Sequence, residues 1–295
     1  MSSFKNLEFD RTKAKRDYFP VTIMDDNKFI SNNLWYHFLT GEYRVPPPLG
    51  LRLVNWTLGR LYKVLPSNPH CIECGVPMAG MGGSALRFMG SAPSSFSSRL
   101  CSGCERAARK YESGAEVELT MLFADVRDST PLAEEKGVSG FREIINRFYK
   151  ETSNVLIEHN AMVNRLMGDQ VIALFVPRFA GKNHAKTALH ATQELLRVTG
   201  HVDENGPWIP VGAGIHTGVA YVGAVGSASG VNEMAVLGSA ANLCARLSSK
   251  AGAGEILISE DSVKFGNLDV EGLVSRSLEL KGVSQPVSVK VMRVE

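Results

Sequence analysis

Apolar and polar residues alternate along the C-terminal part of the chain with the periods of strands and helices. An apolar run over residues 117–123 stops at Asp125, which predicts a buried strand ending at a carboxylate. Over residues 141–149, apolar positions recur every three or four residues with arginine and lysine between them. A strand followed by a long amphipathic helix is therefore the first predicted unit.

Two short apolar segments, residues 162–166 and 170–176, flank Met167-Gly168-Asp169 and predict a β-hairpin with Asp169 at its tip. Further helices are predicted over residues 185–198 and 238–250, and strands over residues 211–217, 219–225 and 255–258. Gly218 is expected to separate two of these strands. The pattern is typical of an α+β fold.

The N-terminal third is less regular. Pro46-Pro47-Pro48 excludes a continuous helix there, residues 51–65 predict one amphipathic segment, and the residues 79–99, rich in Gly, Ser and Met, predict a loop. We therefore expect three parts. They are a helical or irregular region over residues 1–70, a cysteine-rich region over 71–112 and an α+β domain over 113–295.

Composition narrows the classes of function. With 44% hydrophobic and 21% charged residues and a net charge of +2, the 295-residue chain has the profile of an ordinary globular protein. It lacks the basic block expected of a protein that binds nucleic acid or an anionic membrane. No apolar run approaches the roughly 20 residues of a membrane helix, and the N-terminus is too polar for a signal peptide. These features favour a cytoplasmic protein with a small-molecule partner, without nucleic-acid or membrane partners.

Four of the five cysteines form two CxxC pairs, Cys71/Cys74 and Cys101/Cys104. Two such pairs in a reduced chain favour a structural Zn²⁺ over free thiols. A nucleic-acid-binding zinc module is the less favoured alternative, because the region lacks a basic stripe. Cys244, on the helix over 238–250, is expected to be a packing residue.

Two pairs of polar residues are candidates for chemistry on phosphates. If their strands are neighbours, Asp125 and Asp169 meet at one sheet edge, where two carboxylates suit a pair of divalent cations. Asn242 and Arg246 lie four residues apart on one helix face and suit contacts to a phosphate. Taken alone, each pair has an ordinary alternative, a strand end and a turn for the aspartates and a solvated helix face for Asn242 and Arg246.

Taken together, the segments that hold these residues resemble the class III adenylate and guanylate cyclase family over residues 117–294. The matching segments are LFADVRDST, NRLMGDQVIALF, VGAGIHTGVAYVGAVG, LGSAANLCARL and LELKG. The resemblance implies a ferredoxin-like βαββαβ core with extra strands and makes residues 113–295 the catalytic domain. It also implies conversion of a nucleoside triphosphate to its 3',5'-cyclic monophosphate.

The resemblance assigns roles residue by residue. Asp125, Asp169 and the Val126 carbonyl would hold two Mg²⁺ or Mn²⁺ ions, Asn242 would orient the ribose and Arg246 would bind the reacting phosphate. The site would lie between two copies, with the aspartates from one and the Asn/Arg helix from the other. The resemblance therefore implies a homodimer with two equivalent sites.

Four further residues would contact the substrate by the same resemblance: Phe123, Arg165, Ala235 and Lys281, the last through the triphosphate. Adenylate cyclases of this family place Lys and Asp where this chain has Arg165 and Ala235, and guanylate cyclases place an acidic residue at Arg165. A guanidinium presents two parallel donors, which suits the carbonyls of a pyrimidine.

We therefore expect UTP, and next CTP, as in the pyrimidine cyclases of bacterial antiphage (Pycsar) systems, whose product acts on a separate effector protein. An adenylate cyclase that makes cAMP and a non-catalytic nucleotide-binding regulator are the alternatives. Relatives carry a basic residue before the strand that follows Pro210, and Arg127 is a candidate substitute for its phosphate contact. His216, without an acidic neighbour in sequence, is expected to lie in the core or at an interface.

Overall fold

The computed structural model describes residues 26–46, 62, 69–85, 91–94, 97–110, 113–225, 233–282 and 285–294. The helices are α1 (Asp26–Thr40), α2 (Gly80–Ala85), α3 (Ser102–Lys110), α4 (Ser129–Glu158), α5 (Pro177–Ala180), α6 (His184–Val198), α7 (Ser239–Lys250) and α8 (Glu260–Gly266). The strands are β1 (Gly114–Val126), β2 (Met162–Met167), β3 (Gln170–Phe175), β4 (Val211–Val225), β5 (Glu233–Leu237), β6 (Glu255–Ser259), β7 (Val274–Leu278) and β8 (Val287–Arg293). The amphipathic segment predicted over residues 51–65 lies outside the described residues, apart from residue 62.

The strands form a single mixed sheet in the order β2-β3-β1-β4-β6-β8-β7, and β5 pairs with β4. The central strand β1 is antiparallel to both β3 and β4, whereas β4 and β6 are parallel. Read along the chain, β1-α4-β2-β3-α6-β4 is a ferredoxin-like βαββαβ unit, and β5 to β8 extend it. The expected α+β fold is confirmed.

Both faces of β1 are buried over residues 119–124, which fits the apolar sequence from Met121 to Ala124. Leu119 and Met121 pack on one face with residues of α1 and α7. Leu122 and Ala124 pack on the opposite face with residues of α4 and α6. Since successive side chains of a strand point to opposite faces, Asp125 lies on the same face of β1 as Leu119 and Met121.

The prediction of two strands divided at Gly218 was wrong. Val211–Val225 is one strand of 15 residues that pairs with β1 along its whole length, and Gly218 lies opposite Leu119. Gly218 is absent from the residues with positive φ, so it continues the extended backbone. Pairing on a long neighbour outweighs the weak strand preference of a single glycine.

The cysteine-rich segment packs against the sheet, and it contains two helices that were not expected, α2 and α3. Cys71, Leu100 and Cys101 share a core cluster with Trp35 of α1 and with β1. A short helix, α2, lies in the stretch that was expected to be a loop. Among the described helices, none combines the length and apolarity needed to cross a lipid bilayer.

Candidate active site

Two aspartates come together where β1 ends and β3 begins. Asp125 lies opposite Gln170, the first residue of β3, and Asp169 directly precedes Gln170. The Val126 amide donates to the Asp169 carbonyl oxygen at 3.0 Å. In the two-residue turn, Gly168 adopts a φ of 64°, which glycine tolerates without strain. The predicted carboxylate pair is therefore assembled at one end of the sheet.

The electrostatics of this pair favour a bound cation. Burial raises the pKa of Asp125, and the charge of Asp169 raises the same pKa, against the lowering effect of Arg127. Two carboxylates and a neighbouring main-chain carbonyl offer only oxygen donors, the ligands that Mg²⁺ and Mn²⁺ prefer. The residues present thus fit hard divalent cations.

Two side chains of α4 support the pair, and sequence reasoning missed both. The Ser129 hydroxyl donates to the Asp169 carboxylate, and the Tyr149 hydroxyl donates to the Gly168 carbonyl oxygen at 2.7 Å. Ser129 follows Asp125 by four residues in the same motif, which was a usable signal. Tyr149 stands 19 residues from its partner, and no local pattern points to it.

Arg127 lies between the aspartates and the C-terminal end of α7. Its guanidinium pairs with the Asp125 carboxylate, and its Nε donates to the Asp125 carbonyl oxygen at 3.2 Å. Its Nη1 donates to the Ser249 carbonyl oxygen at 3.4 Å. Arg127 is thus the link between the carboxylate pair and the helix that carries the second candidate pair.

Helix α7 rests directly on the backbone of β4. A Cβ added to Gly214 would lie 2.4 Å from the Ser248 nitrogen, so only glycine allows this approach. Beside it, the fully buried Cys244 thiol donates to the Met121 carbonyl oxygen at 3.2 Å. The expectation that Cys244 is a packing residue is confirmed.

Asn242 and Arg246 line a cavity of about 1120 Å³ between α7, β4 and α8. Asn242 is exposed, and Arg246 is half-buried. A Cβ added to Gly282 would lie 3.4 Å from Arg246 Nη2, so the turn that holds the exposed Lys281 sits beside Arg246. Asn242 and Arg246 therefore face one cavity, and Lys281 lies on the turn next to it.

Within one chain the two candidate pairs are separated. Among the described residues that line this cavity, Asp125 and Asp169 are absent. The Arg127 contact to Ser249 places the aspartates near the last turn of α7, whereas Asn242 is on its first turn. Seven helical residues correspond to about 10 Å along the axis. The Asp125/Asp169 pair and the Asn242/Arg246 pair, hereafter named the two half-sites, therefore lie apart within one copy.

Three other residues predicted to contact the substrate lie on three different strands, and two of them, Arg165 and Ala235, were predicted to recognise the base. Phe123 on β1 is 5% exposed and belongs to the core cluster beneath α7. Ala235 on β5 is half-buried and pairs with Gly223. Arg165 on β2 follows an irregularity in the pairing with β3, and its side chain lies outside the described part of the chain.

The four CxxC cysteines converge on one point. Their Sγ atoms all lie within 4.8 Å of one another, with Cys71 and Cys104 at 3.9 Å and Cys74 and Cys101 at 3.7 Å. A tetrahedron of sulfurs about 2.3 Å from a central Zn²⁺ has edges of about 3.8 Å. The cluster therefore has the dimensions of a four-thiolate zinc site.

Backbone amides add to this arrangement. The Cys101 amide donates to the Cys71 sulfur at 3.3 Å, and the Cys104 amide donates to the Cys101 sulfur at 3.4 Å. Hydrogen bonding with Cys101 lowers the pKa of Cys71 and raises the pKa of Cys104. The two amide donors favour the thiolate form of Cys71 and Cys101, the form that binds metal.

Comparison with known sequences places these features in a family context. The sequence profile of the adenylate and guanylate cyclase catalytic domain matches residues 111–291. Adenylate cyclase 1 of Rhizobium meliloti (strain 1021) is 27% identical over 177 residues, which are 55% of this chain and 26% of that protein. An uncharacterized protein of the same strain, R02095, is 26% identical over 173 residues, 58% of this chain and 17% of its own length. The chain thus spans about a quarter or less of the length of these two relatives.

Solved structures share the fold. The guanylyl cyclase Cya2 is 27% identical with a TM-score of 0.53, over 62% of this chain and 95% of that one. The adenylyl cyclase CyaB from P. aeruginosa is 25% identical with the same TM-score, over 62% of this chain and 97% of that one. The shared region is the α+β domain that carries both half-sites.

Proposed function

Because the chain belongs to the adenylate and guanylate cyclase catalytic-domain family, we propose that it converts a nucleoside triphosphate to a 3',5'-cyclic monophosphate and pyrophosphate. The observation that carries this proposal is the proximity of Asp125 and Asp169 in a chain that also presents Asn242 and Arg246 on one cavity. A domain that only binds nucleotides has no need of both sets. The non-catalytic alternative is therefore the weaker one.

The chemistry follows from positioning and charge. A bond forms between the ribose 3'-oxygen and the α-phosphorus, the bond from that phosphorus to pyrophosphate breaks, and the 3'-hydroxyl proton leaves to solvent. Asp125 and Asp169, with the Val126 carbonyl, would hold two Mg²⁺ or Mn²⁺ ions, which supply charge neutralisation at the reacting phosphate. Asn242 would orient the ribose.

The cations of the cavity complete the assignment. The Arg246 guanidinium offers a planar fork of donors to the charge that develops on the phosphate oxygens. Lys281, exposed on the turn beside Arg246, would bind the triphosphate tail. The metal-binding carboxylates and the phosphate-binding cations are thus divided between the two half-sites.

The division of these groups supports a homodimer. Asp125 and Asp169 lie at one end of α7, and Asn242 and Arg246 face a cavity that the aspartates do not line. A two-fold dimer brings the aspartates of one copy to the cavity of the other and creates two equivalent sites. The substrate would then bind across the interface.

For the base, we propose a pyrimidine, with UTP ahead of CTP. The support is chemical: Arg165 has only donors to offer, and Ala235 has no polar group. Uracil presents two carbonyl acceptors to such a donor, whereas adenine presents none. Under this proposal the cyclic product acts on a separate effector protein in antiphage defence.

ATP is the second candidate substrate. The observation that favours it is the resemblance to proteins named as adenylate cyclases, one from Rhizobium meliloti and one from P. aeruginosa. Arg165 favours a pyrimidine, whereas this resemblance favours adenine. The identity of the cyclic product distinguishes the two.

We further propose that Cys71, Cys74, Cys101 and Cys104 hold one structural Zn²⁺. Their spacing and separations match four-thiolate coordination, and such closed sites stabilise folds without taking part in catalysis. The expected effect of this metal is on the stability of the N-terminal third and its packing on β1.

One experiment tests the activity and the base together. The purified chain is incubated with Mn²⁺ and with ATP, GTP, CTP or UTP, and the products are separated by chromatography. We expect cyclic UMP from the native chain, none from Asp125→Asn, and an unchanged yield from the exposed control Asp269→Asn. Cyclic AMP alone would replace the pyrimidine assignment with the ATP candidate, and no product from any nucleotide would overturn the cyclase proposal.

A further inference from the structure

A chain of buried polar side chains joins two histidines through the middle of the fold. Its members, in order, are His184, Thr120, Thr217, Ser262, Ser259 and His216. All six are at most 5% exposed. None of them has been assigned a role above, although His216 and Thr217 line the cavity that holds Asn242 and Arg246. Buried polar groups such as these are usually fully hydrogen-bonded.

The bonds along this chain are short. His184 Nδ1 lies 2.8 Å from the Thr120 hydroxyl, which lies 2.8 Å from the Thr217 hydroxyl. The Thr217 hydroxyl donates to Ser262 at 3.0 Å. The remaining two bonds are Ser262 to Ser259 at 3.2 Å and Ser259 to His216 Nδ1 at 2.8 Å.

Counting donors fixes the histidine tautomers. Five bonds join the six groups, but four hydroxyls supply only four protons, because each hydroxyl has one proton to donate. The fifth proton must come from the Nδ1 of one histidine. If both histidines are neutral, the other histidine accepts at Nδ1 and carries its proton on Nε2.

The direction of the hydrogen bond between Thr217 and Ser262 then determines which histidine donates from Nδ1 and which accepts there. Because Thr217 donates to Ser262, Thr120 must donate to Thr217, and His184 must donate to Thr120 from Nδ1. On the other side, Ser262 donates to Ser259, and Ser259 donates to His216 Nδ1. His216 therefore carries its proton on Nε2.

Both histidines are neutral near pH 7. Burial lowers the pKa of His184 to about 4. Burial also lowers the pKa of His216, against an opposing effect of the Asp261 charge. Neutrality is the condition that the donor count requires.

The Nε2 of His216 lies beside Gly218, and Gly218 lines the cavity that holds Asn242 and Arg246. His216 is one of the residues that line this cavity. A Cβ added to Gly218 would lie 3.0 Å from His216 Nε2 and 3.1 Å from the Ala240 side chain. The absence of a side chain at Gly218 leaves room in front of this nitrogen.

We propose that His216 donates a hydrogen bond from Nε2 to a ribose or phosphate oxygen of the nucleotide bound against Asn242 and Arg246. The proton is held on that nitrogen by the hydroxyl relay that ends on His184. This inference rests on the proposed function, since it assigns a new contact to the same cavity. His216 is a substrate-contacting residue under this proposal, and Thr120, Thr217, Ser259 and Ser262 are positioning residues.

A matched pair of substitutions at position 216 tests the contact. In Gln the amide nitrogen can occupy the place of Nε2, whereas in Asn it can occupy the place of Nδ1. Binding of 3'-deoxy-UTP, which has no 3'-hydroxyl and so cannot cyclise, is measured by calorimetry with Mn²⁺. We expect about tenfold weaker binding for His216→Asn and at most about threefold for His216→Gln.

Nuclear magnetic resonance tests the relay without any nucleotide. The nitrogen-15 shifts of the two rings are expected to show His216 protonated at Nε2 and His184 at Nδ1. In Thr120→Val the link to His184 is cut, so we expect the His216 shifts to move towards a mixture of tautomers. Thr120→Ser restores the hydroxyl and should restore the native shifts.

The outcomes separate this inference from the proposed function. If native chain makes a cyclic nucleotide but His216→Asn binds the analogue as tightly as native, the contact is wrong and the function stands. Equal tenfold losses in both His216 variants would mean a purely structural role and would also overturn the contact. If native chain neither binds the analogue nor makes product, the function fails, while the tautomers still decide whether the relay exists. Protonation of His216 at Nδ1 in the free protein would overturn the relay.

Discussion

Arg178 and Glu73 form an ion pair at 2.9 Å that joins the short helix α5, which follows β3, to the first cysteine pair. The same guanidinium donates to the His37 carbonyl oxygen at 2.7 Å and to the Ile72 carbonyl oxygen at 3.2 Å. Its side chain is 9% exposed. One buried arginine therefore ties α1 and the cysteine segment to the strand whose other end adjoins Asp169.

Replacing Arg178 with Met should lower the free energy of unfolding by about 2–4 kcal/mol. The substitution leaves the Glu73 carboxylate and two carbonyl oxygens without their charged donor. Urea unfolding measures the loss. Arg197→Met is the control, because its ion pair with Glu194 is nearly half exposed on both sides and should contribute less than about 1 kcal/mol. Equal losses in the two variants would contradict the role given to Arg178.

The cysteine cluster predicts about one zinc per chain. Mass spectrometry of the metal content of purified protein measures it. Cys101→Ser should lose most of the zinc and lower the melting temperature, because it removes one of four ligands and the acceptor of the Cys104 amide. Cys244→Ala, which alters a cysteine outside the cluster, should keep the metal. The zinc site would be refuted if the purified native protein contained no zinc and if added zinc did not change its melting temperature.

Mixing two inactive variants tests the shared active site. Asp125→Asn and Arg246→Ala damage different half-sites, so a mixed dimer has one intact site out of two. If subunits exchange freely, half of the dimers are mixed, and activity should recover to about a quarter of the native value.

A mixture of Asp125→Asn with Asp169→Asn serves as the control for this recovery. Both of these variants damage the same half-site, so no dimer can assemble an intact set. Recovery in this control, or none in the first mixture, would mean that the site is not divided between copies.

Two substitutions should convert the base preference. Arg165→Lys with Ala235→Asp installs the pair that the family uses for adenine. We expect the ratio of cyclic UMP to cyclic AMP, measured with equal UTP and ATP, to fall at least tenfold, because each matched hydrogen bond contributes about 1 kcal/mol or more. An unchanged ratio would show that these positions do not read the base.

Glu255 predicts a stability loss in acid. Hydrogen bonds, foremost from Arg276, lower the pKa of the Glu255 carboxyl from 4.5 to about 2. A lowered folded-state pKa contributes stability that is present above the unfolded value of 4.5 and is lost as the pH falls towards 2. Because Arg276 and Arg293 are partly exposed, we expect about 1–2 kcal/mol rather than the full effect.

Unfolding free energies at pH 6 and pH 3 measure this contribution. Glu255→Gln removes the titrating group and should reduce the difference between the two pH values. Glu271→Gln, an exposed glutamate, should leave the difference unchanged. If the unfolding free energies of the native chain and of Glu255→Gln changed equally with pH, the ion pairs of Glu255 with Arg276 and Arg293 would be excluded as a source of acid sensitivity.

The sequence was informative where one local pattern decides the structure. The run ending at Asp125 and the hairpin tip at Asp169 follow from strand periodicity and turn chemistry, and the structure places the two residues together. The spacing of Asn242 and Arg246 likewise predicted one helix face. These features depend on neighbours within a few residues.

Features that depend on distant partners were not predictable in this way. Gly218 indicated a break, but its pairing with Leu119 keeps the strand continuous. The buried contact of Thr120 with His184 joins residues 64 positions apart, and the contact of Arg178 with His37 joins residues 141 positions apart. Neither pair has a spacing signature, because tertiary packing alone brings them together.

The close approach of α7 to Gly214 limits how this protein can be controlled. At Gly214 no strand side chain separates β4 from the helix backbone, so the helix cannot shift towards the strand there. Asn242 and Arg246 are consequently held at a fixed height above β4 in every copy. Under the proposed dimer, a signal that activates the enzyme must therefore change the relative orientation of the two copies, and not the position of α7 within one copy.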